Sequence, residues 1–493
     1  SPAITMLRTV DTRDHLGLSS YEELAHLIPA VHELRTEAQR LVPRIGGRRV
    51  VMVSSTAQGG GVAEMLPRMI DLLQELGVDV RWLVIGSDRP AFFALTKRLH
   101  NLIHGVGDPR LGPAERQLYD EVSRDNAREL ARELGPDDLL VIHDPQPLGT
   151  GALVRRELGV ELVWRCHIGL DRSTPETDAA WSFLAPYASA IDCAVFSAPE
   201  YIPEYHAGRA RVLHPGIDPL THKNRDLSPH KLQGVLVNGG LAQEHAPVLT
   251  PPFDHRVRRL ARDGSFEPAD QGDEIGLLFR PTIVQISRWD RLKGFAPLLD
   301  GFVRLKRRRD DPDLSPLHRR RLTLTRLVLA GPDPTSVADD PEALAVLDEL
   351  IGRYREMPEG VARDVVLLVL PMESRRENAL MVNALQRCAS VVVQNSLEEG
   401  FGLTVTEAMW KRKPVVGSKA CGIRQQVRDG IDGLLVDDPL DPEQIADALD
   451  RVMEAPHQRE LFASNAQRHV YEEFLIFIQL RRWLRLLAEV SDR

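Results

Sequence analysis

Arg49-Val50-Val51-Met52-Val53-Ser54-Ser55-Thr56-Ala57-Gln58-Gly59-Gly60-Gly61-Val62 begins as an apolar run, passes through three successive glycines and enters a stretch of helical spacing over 62–76. A short strand that turns directly into a helix is the opening unit of a parallel sheet covered by helices. The glycines remove every β-carbon at the turn, so backbone N–H groups at a positive helix end can approach a ligand there. The stretch matches neither the phosphate loop ending in Gly-Lys-Ser/Thr nor the dinucleotide fingerprint, and a plain tight turn explains it equally well when it is taken alone.

Working outward, the same alternation continues. Further strands are expected at 80–85, 139–143, 162–167 and 193–197, with helices such as 120–134 between them. The pattern lapses from about 218 to 279, where Pro, Gly, Asn and charged residues scatter, and resumes with strands at 281–287, 326–330, 365–370, 390–394, 414–417 and 433–436. The class is α/β: two Rossmann-like, doubly wound domains facing across a cleft, ligands being expected at their strand ends. The expected organisation is 1–217 as a first Rossmann-like domain, 218–280 as a linker and surface excursion, 281–470 as a second Rossmann-like domain, and 471–493 as a helix packing on one of the domains.

That final segment carries Phe474, Ile478, Trp483 and Leu487 among Arg481, Arg482 and Arg485. An apolar side packed on a domain is the simpler reading; a basic helix lying on a membrane surface is the alternative. The clusters Lys306-Arg307-Arg308-Arg309 and Arg319-Arg320-Arg321 are read as solvated faces, with a membrane or RNA surface as the lesser alternative.

The 493 residues call for more than one domain, and 43% hydrophobic with 27% charged residues excludes disorder and collagen-like structure. With 62 Lys+Arg against 71 Asp+Glu the net charge is −9, so the counterion release that drives nucleic-acid binding is missing, and no nucleic-acid partner is expected. Cys166, Cys193, Cys388 and Cys421 are far apart, with neither metal spacing nor a redox pair. A reducing cytoplasm is the expected location. The longest apolar run, 365–370, is far short of the roughly 20 residues that cross a bilayer and ends at Pro371. The amino-terminal residues show no signal-like apolar core.

Three clusters carry chemistry. The sharpest is Glu398-Glu399-Gly400-Phe401-Gly402-Leu403-Thr404-Val405-Thr406-Glu407-Ala408-Met409, in which Glu399 and Glu407 are eight positions apart. If a helix begins at Gly402 or Leu403, Glu399 lies in the loop before it and Glu407 more than one turn inside. The two carboxylates then reach different parts of one extended ligand, while amides near Gly402, Leu403 and Thr404 meet its anionic middle. The second cluster, Ser287-Arg288-Trp289-Asp290-Arg291-Leu292-Lys293-Gly294, offers one fork-shaped and one point-like cation, Arg288 and Lys293, able to clamp a diphosphate and neutralise a leaving group. Cations for phosphates beside carboxylates for sugar hydroxyls are what a nucleotide-sugar donor needs. The third comprises His143-Asp144-Pro145-Gln146-Pro147 and Arg165-Cys166-His167 at two strand ends. A lone histidine there is usually structural, but two polar clusters aimed at one cleft make Asp144 and His167 acceptor or reaction-centre candidates.

These motifs together resemble the retaining GT-B glycosyltransferases of family 4. More narrowly, Ser54-Ser55-Thr56-Ala57-Gln58-Gly59-Gly60-Gly61-Val62-Ala63-Glu64-Met65-Leu66, with 141–147, 163–168 and Pro215-Gly216-Ile217-Asp218-Pro219-Leu220, resembles the trehalose glycosyltransferring synthases and the related trehalose phosphorylases. The resemblance implies transfer of glucose from a nucleoside-diphosphate-glucose to glucose, with retention, giving an α,α-1,1-linked disaccharide. By the same resemblance Arg288 and Lys293 bind the diphosphate, Glu399 the donor sugar hydroxyls, Glu407 the ribose, and the Gly400, Phe401, Gly402, Leu403 and Thr404 amides the phosphate and sugar. The loop Gly59–Gly61 closes over donor and acceptor, with Gly60 and Gly61 on the donor, Asp144 and Gln146 meet the acceptor, and His167 lines the reaction centre. No metal or other cofactor is expected as a fixed ligand, and a homodimer is left open. Three alternatives stand beside this reading: phosphorolysis of the same disaccharide, transfer to another small acceptor, and a non-catalytic sugar-nucleotide sensor.

Overall fold

The strand that opened the sequence reading is Val50–Ser54, buried at every position, as a strand covered on both faces by helices must be. The computed structural model describes residues 6–12, 16–58, 60–245, 248, 251–336 and 340–493. Gly59 of the expected three-glycine turn lies outside the described residues.

By its contacts the chain divides into two units, one formed by Ser1–Gly216 with Ile476–Arg493 and the other by Ile217–Leu475. The first holds β1 (Arg8–Val10), β2 (Val50–Ser54), β3 (Val80–Val84), β4 (Leu139–His143), β5 (Glu161–Cys166), β6 (Cys193–Phe196) and β7 (Ala210–Val212). Their order in the sheet is β1-β3-β2-β4-β5-β6-β7, all parallel except β1, which lies antiparallel on β3. Chain order reverses at β2, with β3 on one side and β4 on the other. The loops after β2 and β4 therefore leave the sheet at a topological switch point.

The second unit contains β8 (Arg258–Leu260), β9 (Phe266–Pro268), β10 (Thr282–Ile286), β11 (Arg326–Pro332), β12 (Val365–Leu370), β13 (Val391–Gln394), β14 (Val415–Ser418) and β15 (Gly433–Val436). The order β15-β14-β13-β10-β11-β12-β8-β9 places six parallel strands in the dinucleotide-fold sequence, with the switch point between β10 and β13. Ile283, Leu327, Leu329, Val365, Leu367, Val391 and Val393 of these strands pack with Leu298, Phe302 and Leu305 of the helix Phe295–Arg307 in one buried cluster.

Three expectations need correction. The 218–280 segment is part of the second unit. It contains the helix Pro229–Asn238 and the antiparallel strands β8 and β9, which extend the sheet beyond β12. Three-residue strands and a turn at Gly264 (φ +88°) are too short to show periodicity. The terminal helix runs Ile476–Ser491, residues 471–473 belonging to the preceding helix Pro456–Glu473. Its Leu480, Trp483, Leu484 and Leu487 are buried, and it packs on the helix Ile28–Ile45, where Arg481 Nε lies 2.5 Å from Glu37 Oε2 and Arg485 also pairs with Glu37. The apolar Trp483 and Leu487 and the basic Arg481 and Arg485 are thus engaged inside the first unit, against the membrane-surface reading. Finally, Lys306 of the basic cluster is fully buried. Its ammonium donates to the carbonyls of Leu322 (2.6 Å) and Thr325 (2.9 Å) and pairs with Asp364 at 2.9 Å, while burial, opposed by Asp364, pushes its pKa down to about 8. No described helix is long and apolar enough to cross a membrane.

Candidate active site

In the second unit, the loops after β10 and β13 flank the switch point and are tied to each other. Gln285, at the end of β10, donates through Nε2 to the Lys293 carbonyl (2.8 Å) and accepts at Oε1 from the Asn395 amide (2.9 Å). Asn395 donates in turn to the carbonyls of Gly294 (3.0 Å) and Pro439 (2.9 Å). Gly294 has φ +62°, and a β-carbon there would stand 2.1 Å from the Asn395 carbonyl oxygen, so only glycine permits this approach.

The clamp residues emerge from this scaffold in two different states. Lys293 Nζ lies 2.6 Å from Glu399 Oε2, with side chains 13% and 12% exposed, so Lys293 is a largely covered cation held by a carboxylate. The same carboxylate oxygen accepts from Ser396 Oγ at 2.9 Å. Arg288 is exposed, and its guanidinium has no partner among the described residues. The structure therefore brings Lys293 and Glu399 together and leaves Arg288 open to a ligand.

The helix Leu403–Trp410 begins where the sequence placed it. Gly402 is its N-cap at φ +85°, and no side chain caps it, so the amides of Leu403 and Thr404 are not taken by a capping group. Phe401 is buried, and the Glu399–Gly402 turn is fixed from behind: the Gly422 amide donates to the Glu399 carbonyl (3.0 Å), and Gln426 Nε2 donates to the carbonyls of Phe401 (2.7 Å) and Gly402 (3.1 Å). Gly400 lies between them. Glu407 sits one turn inside the helix, 5% exposed. Behind it Lys411 donates to Gln386 Oε1 at 2.6 Å, and burial, opposed by the Glu407 charge, drives the lysine pKa far down. Gln426, Ser396 and Lys411 were not singled out by sequence reasoning. Each is an ordinary residue whose partner lies 3 to 25 positions away, with no spacing rule to reveal it.

In the first unit, His143 ends β4, Asp144 follows it, and His167 follows β5. Asp144 holds a left-handed conformation, φ +66°, uncommon without glycine. Its Oδ1 accepts the His167 amide at 2.8 Å and its amide donates to the Arg165 carbonyl at 2.8 Å, which locks the two strand ends together. Burial, opposed by the His167 amide and by Arg165, raises the Asp144 pKa to about 6. The His143 and His167 rings stack with centroids 5.3 Å apart, and His143 Nδ1 lies 3.0 Å from His167 Nε2. Burial first, and the nearby Arg165 cation second, push His143 down to about 3 and His167 well below its ordinary range. Gln146 is half-buried, and its Oε1 is buried without a partner among the described residues. Gly60 opens the helix Gly60–Glu75, with Gly61 in its first turn.

One group of potential metal ligands occurs among the described residues, His318, Asp450 and Glu454. Asp450 is already bonded to His318 (2.6 Å) and Arg308 (3.2 Å), and all three residues belong to the helices Pro316–Leu324 and Pro442–Glu454, none to a strand-end loop.

Comparison with known proteins agrees with this geometry. Residues 52–203 match the family model "Trehalose synthase, N-terminal domain", and residues 373–469 match "Glycosyl transferases group 1". A trehalose synthase of Pyrococcus horikoshii is 30% identical over 92% of this chain and 93% of its own. A trehalose phosphorylase of Pleurotus sajor-caju is 28% identical over 82% of this chain but 52% of its own. Among solved structures, a UDP-forming α,α-trehalose-phosphate synthase of Burkholderia vietnamiensis has a TM-score of 0.61 at 18% identity, covering 91% of this chain and 99% of that one, which shows the fold. A near-full-length match to the synthases, with both units in the nucleotide-binding topology, means that the chain belongs to the trehalose synthase family of glycosyltransferases with the GT-B fold.

Proposed function

We propose that this glycosyltransferase moves glucose from a nucleoside-diphosphate-glucose to glucose, with retention at the anomeric carbon, to form trehalose. The observation that carries this reading is the composition of the second unit's switch point: an exposed Arg288 with no partner among the described residues, a Lys293–Glu399 pair, a helix start without a capping side chain, and Glu407 one turn inside. Arg288 and Lys293 bind the diphosphate. Leu403 and Thr404 amides supply further donors to its oxygens. Glu399 accepts from hydroxyls of the donor glucose, and Glu407 from the ribose.

The reaction breaks the bond between glucose C1 and the β-phosphate oxygen and forms one between C1 and the acceptor oxygen on the same face. The acceptor's hydroxyl proton passes to the departing phosphate. Negative charge grows on that phosphate as C1–O lengthens, so Arg288 and Lys293 hold the transition state more tightly than the bound donor. Asp144 and Gln146 bind the acceptor, His167 lines the reaction centre, and Gly60–Gly61 close over both sugars. With two cations available, no fixed metal is required by this chemistry. The four cysteines are free, in keeping with a reducing cytoplasm.

Incubating the protein with UDP-, ADP-, GDP- or TDP-glucose and glucose, and measuring nucleoside diphosphate and trehalose together, tests the proposal. Stoichiometric formation of both is expected. Release of glucose 1-phosphate from trehalose and phosphate without nucleotide-dependent synthesis, or conversion of maltose to trehalose with no nucleotide sugar, would overturn it.

A further inference from the structure

We infer that His143 is a positioning residue that fixes the tautomer of His167, so that His167 presents an Nδ1–H donor, never a basic lone pair, to the sugars. The inference rests on the proposed place of His167 at the reaction centre, but the tautomer itself follows from the first unit alone.

The contact between His143 Nδ1 and His167 Nε2, at 3.0 Å, needs one proton between two nitrogens. Both rings are neutral, because burial and the adjacent Arg165 cation disfavour a second charge. Neutral His143 carries its proton on Nδ1 or on Nε2. Its Nε2 is buried and has no hydrogen-bond partner among the described residues. A proton there would strand an N–H with nothing to receive it, the rarest kind of unpaired buried group; a proton on Nδ1 buries only a lone pair there and makes Nδ1–H the donor in the contact. His167 Nε2 is then the acceptor and carries no proton, so the proton of His167 sits on Nδ1. With Nε2 engaged by His143, Nδ1 is the nitrogen left for a ligand.

The surroundings hold this arrangement rigid. The His167 backbone is pinned by its amide to Asp144 Oδ1 (2.8 Å), Asp144 is held by its own amide to the Arg165 carbonyl, and Arg165, fully buried, donates through Nη2 to the Leu213 carbonyl (2.8 Å). This chain of bonds, with the pairing of His143 and Arg165 in adjacent strands, holds the two backbones at a fixed separation. In solution a neutral imidazole has access to both tautomers; here one is selected, as a hydrogen bond at one ring nitrogen selects the role of the other. The consequence is chemical: His167 stabilises a sugar oxygen by donation and does not remove the acceptor's proton, which is left to the departing phosphate.

The test is ¹⁵N correlation spectroscopy of the histidine-labelled full chain, with the His167 signals assigned through His167→Gln. A protonated Nδ1 and bare Nε2 on His167 in the parent are expected. In His143→Leu the His167 signals should move toward the Nε2–H form, and kcat should fall about 10–100-fold, the usual effect of losing an orienting partner, with donor KM little changed. His143→Asn, whose amide nitrogen takes the place of Nδ1, should restore the tautomer and most of kcat; it also serves if the leucine variant fails to fold. An Nε2–H imidazole at His167 in the parent overturns the inference. A tautomer that shifts in a folded His143→Leu while turnover stays parental leaves the tautomer assignment standing and overturns the placement of His167 at the sugars.

Discussion

Lys293 and Glu399, 106 positions apart, form an ion pair of 2.6 Å that joins the loop after β10 to the loop after β13 across the switch point of the second sheet. The ammonium has three N–H donors and the carboxylate about four acceptor sites, so the pair is not exhausted by itself. Each partner can engage a donor molecule while holding the other in place. The pairing pre-positions both groups, and a ligand need not first separate them.

Replacing Lys293 by Ala should therefore do two things. Turnover should fall about 10²–10³-fold, the usual effect of losing one preorganised charge-stabilising group. Stability should also fall, by roughly 1–3 kcal/mol, because a Glu399 side chain only 12% exposed loses its cation. Adding Glu399→Gln should recover most of the stability and none of the turnover. Urea unfolding and steady-state kinetics on the four proteins of the cycle measure both. Independent effects on stability would mean that the pair carries no coupling energy.

Glu407→Gln should weaken binding of the nucleotide sugar by about 1–3 kcal/mol, the range for hydrogen bonds to a charged group, and leave acceptor binding nearly unchanged. Calorimetry with a nucleoside diphosphate alone is the direct measurement. Parental affinity would remove Glu407 from the ribose site.

Most of the sheet architecture could be read from sequence, because parallel strands buried on both faces are continuous apolar runs. Val365–Leu370 is read without error. The elements that escaped are strands of three residues at or next to the sheet edges, β1, β7, β8 and β9, too short for a period to register. The site divides the same way. Residues adjacent in one loop, such as Glu399 and Gly402, could be read together. Those joined only by folding could not: the pairing of Lys293 with Glu399, the bond from His143 to His167, and the support from Gln426 are contacts between separate segments.

Acid should loosen the first unit through its buried histidines. Burial lowers the pKa of His100 and His206 to about 4 and of His143 to about 3, and depresses His167 too. In the unfolded chain each takes up a proton near pH 6.5, so below that value the unfolded state binds more protons and stability falls as pH drops toward the native values. Asp144 acts in the opposite sense: its pKa, raised from 3.8 to about 6, lets the native state hold a proton the unfolded chain releases, which favours folding on acidification through that window. Glu161, raised by burial and by the neighbouring Asp192, acts in the same sense as Asp144, and four histidines outweigh the two carboxyls. Hydrogen exchange of the β4 and β5 amides should show weaker protection at about pH 5 than at about pH 7.5, after correction for intrinsic rates. Equal protection would mean that the histidines are solvated in the native state.

Gln426→Leu should damage catalysis from behind the site. Gln426 is fully buried; its Nε2 holds the Phe401 and Gly402 carbonyls, and its Oε1 accepts from Thr406. Leucine approximates the volume but can neither donate nor accept, so the Phe401 carbonyl and the Thr406 hydroxyl each lose a hydrogen bond and the Gly402 carbonyl keeps the Val405 amide, at a cost of about 1–3 kcal/mol. The kinetic effect should be larger than that loss suggests. The Gly402 turn sets both the position of Glu399, whose Cγ would lie 2.9 Å from a β-carbon at Gly402, and the direction of the first helical amides. A displacement of about 1 Å in groups that orient a reacting substrate can cost about 10²-fold in rate. With turnover expressed per folded molecule, kcat is expected to drop by about that factor while the chain remains folded. A variant that loses stability but keeps parental kcat would show that the turn is held by its glycine conformation and the Gly422 amide alone, and Gln426 would then be a packing residue with no part in positioning Glu399.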